Sequence, residues 1–151
     1  MIKLKPFKQS TGYCGPASLK MVFSAYGVEK SERTLAKLAK ASKRKGCLEK
    51  DMLKAARKLG FNAYSKEKCS VAELKKWVKK GTPPIVGWFS PEGASHYSVV
   101  VGFRRNSIFL ADPNFGKIRE HKIAWFKERW FDKGCGSLLV REVIVIKKKG
   151  D

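Results

Sequence analysis

Histidine is nearly missing from this 151-residue chain, which has only His96 and His121. Cysteine is sparse too: Cys14, Cys47, Cys69 and Cys135 stand far apart, with no C-x-x-C pair. A zinc site would have to be gathered from scattered ligands, so no metal and no other cofactor is expected. No stretch approaches the roughly 20 apolar residues that cross a bilayer. The opening MIKLKPFKQSTG alternates lysine with apolar residues and has no apolar run of the kind a secretory signal needs. A cytoplasmic chain is expected, and there disulfides are rare. Acidic residues are also scarce, 13 against 33 Lys and Arg, for a net charge of +20. Residues 28–80 hold most of the excess, with 17 basic against 6 acidic side chains. Such a charge favours nucleic acid or an acidic membrane surface as partner. The plainer reading is a solvated lysine-rich surface, and no nucleic-acid motif is present.

What is present is enough apolar sequence, 43%, for one core. A single domain over residues 1–151 is expected, with a frayed basic tail at about 147–151. The first half reads as helices. Residues from Gly15-Pro16 to Tyr26 are apolar on nearly every face, so that helix should be central and buried, stopped by Gly27. Ser31 can cap a second helix, and a third runs from about Leu48 to Leu59, before Gly60. Ser70-Val71-Ala72-Glu73 is a capping box for a fourth, which ends at Gly81. After Thr82-Pro83-Pro84 the pattern changes to strands: 85–89, 96–103, 108–111, 118–123 and 138–146. Arg104 to Ser107 reads as a hairpin turn and Asn114-Phe115-Gly116 as another, and a short helix covers about 125–130. Helices first and strands after implies an α+β fold.

Cys14 stands at the start of the buried helix, where backbone N–H groups and the positive helix end favour a thiolate. Gly12 and Gly15, beside Tyr13 and Cys14, would let a substrate backbone come close. An ordinary buried cysteine is the competing reading. A nucleophilic thiol needs a base, and His96 opens a strand after the Glu92-Gly93-Ala94-Ser95 loop. His121, in a polar strand expected to be exposed, ranks well below it. Asp112 closes the next strand, where it can orient the imidazole or simply begin a turn. The Cys14 N–H and the Gln9 side chain are candidate donors to an oxyanion.

Three segments together resemble the bacteriocin-processing, or double-glycine leader, cysteine peptidases and their stand-alone relatives: Gln9 to Leu19, His96 to Gly102, and Leu110 to Pro113. Trp125 to Trp130 is similar to that family's late Arg-Trp helix. The resemblance implies a papain-like cysteine peptidase fold, with the nucleophile on a central helix and the N-terminal helices packed on a C-terminal antiparallel sheet. It further implies Cys14 as nucleophile, His96 as general base, Asp112 as its orienter and Gln9 in the oxyanion hole. Gly12, Tyr13, Gly15, Ser95 and Tyr97 would line the substrate cleft. Cleavage would follow two small residues, often Gly-Gly, in a peptide or protein substrate, with a separate peptide-export transporter as a further partner. Two positions depart from the family pattern. Four residues rather than five separate Gln9 from Cys14, and Ser95 replaces a glycine, narrowing the approach to His96. The same residues would also serve a transpeptidase, another acyltransferase or a deamidase, or a non-catalytic peptide- or polyanion-binding module.

Overall fold

The structure, a computed structural model, describes residues 1–92, 95–133 and 137–150. Helix α1 (Cys14–Ala25) is buried along Gly15–Leu19 and Met21–Phe23, as a helix apolar all round must be. Ser31 caps α2 (Glu32–Leu38) by accepting from the Thr34 N–H at 3.1 Å. Helix α3 (Glu49–Lys58) follows after the 42–47 loop. The Ser70–Glu73 box closes reciprocally on α4 (Val71–Lys79). Helix α5 (Ile123–Arg129) covers the last helical pattern.

The strands are β1 (Phe61–Lys66), β2 (Ile85–Phe89), β3 (Ser95–Arg104), β4 (Ser107–Asp112), β5 (Lys117–Lys122), β6 (Phe131–Asp132), β7 (Leu139–Val140) and β8 (Val143–Lys148). Six of them form one antiparallel sheet in the order β1-β8-β2-β3-β4-β5, and β6 pairs with β7. β4 is buried throughout and β3 nearly so, because apolar helices cover both faces there. Val99, Val101, Phe109 and Ala111 face α1–α3, while Val100, Ile108 and Leu110 face the cluster of Leu74, Phe126 and Trp130 from the α4 and α5 side.

The α+β class stands, with details that the sequence pattern did not give. The helices do not all lie on one face, since α4 lies with α5 on the other. The helical half contributes a strand, β1, whose Phe61 and Ala63 face inward while Asn62 and Tyr64 face out. The last strand is interrupted: Arg141 has φ +49°, and Glu142 lies between β7 and β8. Nor is the basic tail frayed from 147. Lys147 and Lys148 pair with Asn62 and Phe61, and their ammonium groups lie over the rings of Tyr64 and Tyr26. Cys135 lies outside the described residues, as do Gly93 and Ala94 of the loop before β3. No described helix is long and apolar enough to cross a membrane.

Candidate active site

Cys14 is the first residue of α1, and Tyr13 before it supplies no side-chain cap. The first turn therefore presents its N–H groups toward Cys14 without a competing side chain. His96 lies near the start of β3 and Asp112 ends β4. Because these strands run antiparallel, both residues stand at the same end of the sheet. His96 Nε2 is 2.8 Å from Asp112 Oδ1, with both side chains buried. Asp112 takes Nε2, which leaves Nδ1 as the other ring nitrogen, and the nearby Cys14 thiol also favours the charged ring. Thiol, imidazole and carboxylate thus lie together where the start of α1 meets this end of the sheet.

Burial alone would hold the His96 pKa down. The Asp112 hydrogen bond, then that of Cys14, outweigh burial and raise it to about 9. The imidazolium is therefore the resting form at neutral pH. Asp112 is itself anchored: Oδ1 accepts from the Asn114 N–H at 3.0 Å, and Arg119 Nη1 lies 3.8 Å from Oδ2. Arg119 in turn lies over the Phe115 ring at 4.1 Å. The sequence reading overlooked Arg119. The signal was its place on β5 opposite Leu110, one strand from the aspartate.

Cys14, Ser95, His96 and Tyr97 line one pocket of about 430 Å3, together with residues 45–50, Asp132, Ser137 and Leu139. Ser95 is fixed there, its Oγ accepting from the Lys133 N–H at 2.9 Å. Tyr97 is buried, and burial followed by the charges of Glu142 and Asp132 keeps its phenol well above the usual range.

Two expected cleft residues sit differently. A Cβ at Gly12 would lie 2.5 Å from the Lys43 carbonyl oxygen, and Gly12 has φ +79°. A Cβ at Gly15 would lie 2.8 Å from Cys47 Cβ. These glycines admit the chain's own 42–47 loop where a substrate was expected. Cys47, brought into the pocket by that loop, has its thiol pushed up to about 12, chiefly by burial and then by neighbouring Cys14. It stays protonated at neutral pH.

Gln9 is not in the pocket wall. Its N–H donates to the Pro113 carbonyl at 2.8 Å, which ties it to the Asp112 turn. Its side-chain Nε2 is 3.3 Å from the Ser10 carbonyl, and its Oε1 is buried without a hydrogen-bond partner. Ser10 is held by Glu32, through its N–H at 2.8 Å and its Oγ at 2.6 Å. Tyr13 is half-buried between them and Cys14. His121, expected to be exposed, is partly buried instead. Its ring stacks on Trp125 at 4.7 Å and lies 5.7 Å from Trp88, and burial lowers its pKa. The apolar α5 beside the strand is the reason.

Residues 5–134 match the Peptidase C39 family. The chain belongs to that family. Among its relatives is the Lactococcin transport/processing ATP-binding protein LcnC-like of Lactococcus lactis subsp. lactis (strain IL1403). It is 34% identical over 102 residues, covering 67% of this chain and 14% of that protein. An uncharacterized protein of Methanothermobacter marburgensis is 32% identical over 117 residues, covering 74% of this chain and 73% of its own length. The peptidase domain of Streptococcus ComA, described as a bi-functional ABC transporter involved in a quorum sensing pathway, superimposes with a TM-score of 0.78. Identity is 28%, over 99% of this chain and 100% of that one. The C39 chain thus spans less than a fifth of the transport proteins it matches and has the fold of their peptidase domains. The resemblance to bacteriocin-processing cysteine peptidases holds, and with it the papain-like α+β fold.

Proposed function

We propose that this C39 chain hydrolyses a peptide bond through a thioester on Cys14. The observation that carries the reading is the imidazole of His96, held at 2.8 Å by a buried Asp112 and sharing one pocket wall with the Cys14 thiol. The Cys14 thiolate attacks the scissile carbonyl carbon. The carbonyl oxygen becomes an oxyanion facing the start of α1, where the Cys14 N–H can donate to it. His96, as imidazolium, gives its proton to the leaving amine when the C–N bond breaks. It then takes a proton from water as that water attacks the thioester, and the thiolate leaves. Asp112 holds the ring orientation and favours the charged form of the imidazole. No cofactor enters this sequence, because thiolate, imidazole and carboxylate supply every proton and bond change.

The substrate class we infer is a peptide cut after two small residues, as in a double-glycine leader. The close approach of the 42–47 loop to Gly12 and Gly15 supports this, as do the transport/processing relatives. A peptide-export transporter is the proposed partner, since the transport/processing relatives carry the matching peptidase portion. A nucleophile that must stay reduced suits a reducing compartment, so the cytoplasm is the proposed location. Ser95 and Tyr97 are the pocket residues proposed to contact substrate. Gln9 is proposed to act from the Asp112 turn, through the loop that leads to Cys14. The whole described chain is taken as one domain.

The test is incubation with a peptide containing Gly-Gly, followed by mass spectrometry. A new carboxyl terminus after the second glycine is expected, with loss of the product in Cys14→Ala and retention of the fold by circular dichroism. Cleavage that persists in Cys14→Ala overturns the reading.

A further inference from the structure

The pocket that opens on Cys14 holds a second thiol that peptide hydrolysis does not use. Cys47 lines the same cavity, and both cysteines are free thiols. Measured from the place of a Cβ at Gly15, Cys47 Cβ is 2.8 Å away and its Sγ 3.3 Å. Gly15 follows Cys14 directly in α1, and neighbouring Cα atoms are only about 3.8 Å apart. The two cysteines are therefore neighbours across the contact between helix and loop. From there a small shift of the loop reaches the roughly 4.4–6.8 Å between Cα atoms that a disulfide spans.

The end of the loop that carries Cys47 has room for that shift. Gly46 precedes it with φ +70°, and a Cβ there would meet nothing within 4 Å. The Cys47 thiol makes only long contacts, 3.6 Å to the Ala39 carbonyl and 3.8 Å to that of Leu48. The order of reaction is built in as well. Burial, then the charge of Cys14, pushes the Cys47 pKa up to about 12, so the thiolate that meets an oxidant first is Cys14. A sulfenic acid on Cys14 is neutral. Once it forms, the charge that opposed ionisation of Cys47 is gone. Cys69 lies in the apolar cluster on the other face of the sheet and serves as an internal control.

We propose that Cys14 and Cys47 form a reversible oxidation site: a peroxide entering the pocket joins them as a disulfide, which switches the nucleophile off and shields it from irreversible oxidation. In the first step the Cys14 thiolate attacks a peroxide oxygen. The S–O bond forms, the O–O bond breaks, and the departing hydroxide takes the proton of the His96 imidazolium to become water. In the second step the Cys47 sulfur attacks the Cys14 sulfenic sulfur. The S–S bond forms, the S–O bond breaks, and the hydroxyl leaves with the Cys47 proton as water. Two sulfurs lose one electron each, and the peroxide is reduced to two waters. A dithiol reverses the reaction by exchange. The disulfide itself needs only the pocket, while its effect on activity rests on the peptidase reading.

The whole chain, reduced and then freed of reductant, is treated with an excess of hydrogen peroxide, alkylated with iodoacetamide and digested with trypsin without reduction. Residues 9–20 joined to residues 46–50 are the expected product, released by dithiothreitol, with Cys69 alkylated as before. Cys14 joined instead to Cys69 or Cys135, or oxidised to sulfinic acid while Cys47 stays free, overturns the inference. In Cys47→Ser, checked for an unchanged fold by circular dichroism, prolonged exposure should carry Cys14 on to sulfinic acid. The share of Cys14 that dithiothreitol returns to alkylation should then fall several-fold, and equal recovery overturns the shielding. The map of the unaltered chain decides the linkage even where the variant does not fold. Cleavage of the Gly-Gly peptide should fall with the linked fraction and return with dithiothreitol, and cleavage by fully linked chain overturns the switch. If the link forms but the reduced chain cuts no peptide, the peptidase reading fails and the oxidation site stands.

Discussion

His96 concentrates the chemistry of the site in one side chain. Its pKa near 9 means that the proton it holds in the folded state is lost at higher pH than in the unfolded chain, whose value is near 6.5. The stabilisation is therefore complete below pH 6.5 and disappears as pH rises through about 9. The alkaline limb of kcat/KM should lie near pH 9. In Asp112→Asn burial is no longer outweighed, so the limb should move toward neutral and kcat should fall by roughly 10²–10⁴-fold. An unmoved limb in that variant would remove Asp112 from its role. At this scale the sequence was legible where chemistry needs a rare residue type. With only two histidines, one of them at a strand start, His96 stood out as a candidate, as did Cys14 and Asp112, and the fold brings the three together. Arg119 did not, because it sits among many charged residues and reaches Asp112 only through the β4–β5 pairing. The glycines misled for a related reason, because Gly12 and Gly15 show that something approaches closely but not what approaches.

Helices announced themselves through caps, and the capping box on α4 invites a clean experiment. Ser70→Ala removes the acceptor for the Glu73 N–H and should cost about 1 kcal/mol, read by denaturant titration, with activity unchanged because α4 lies on the face away from α1. Strands were legible where apolar runs were continuous, as in β3 and β4. The edge strand β1 was hidden because half of it is polar: Asn62, Tyr64 and Lys66 point to solvent, while Phe61 and Ala63 pack inward and the strand pairs with β8. That pairing sets the fate of the tail. Deleting residues 147–151 removes the Lys147–Asn62 and Lys148–Phe61 pairings. A loss of about 1–2 kcal/mol is expected, or roughly 3–6 °C in Tm by calorimetry. A tail that merely frayed would give no shift.

Across the whole molecule the charge of +20 draws in anionic peptides. Salt screens that pull, since the Debye length is about 10 Å at 0.1 M. For a peptide with acidic residues remote from the scissile bond, kcat/KM should fall several-fold between low salt and about 0.3 M. Composition alone showed this long-range field but not where the charges sit around Cys14, because a net charge carries no position.

The β3–β4 hairpin carries a consequence for anyone reshaping the chain. The end that joins the two strands, Arg104 to Ser107, is at the opposite end of the ladder from His96 and Asp112. The spacing of that pair is therefore kept by backbone pairing along both strands and not by the connection between them. Extra sequence spliced in between Arg105 and Asn106 should leave the histidine and aspartate in register, whereas the same splice between Asn114 and Phe115 would pull on the carboxylate directly. The hairpin tip is thus the natural port for a reporter or a tether.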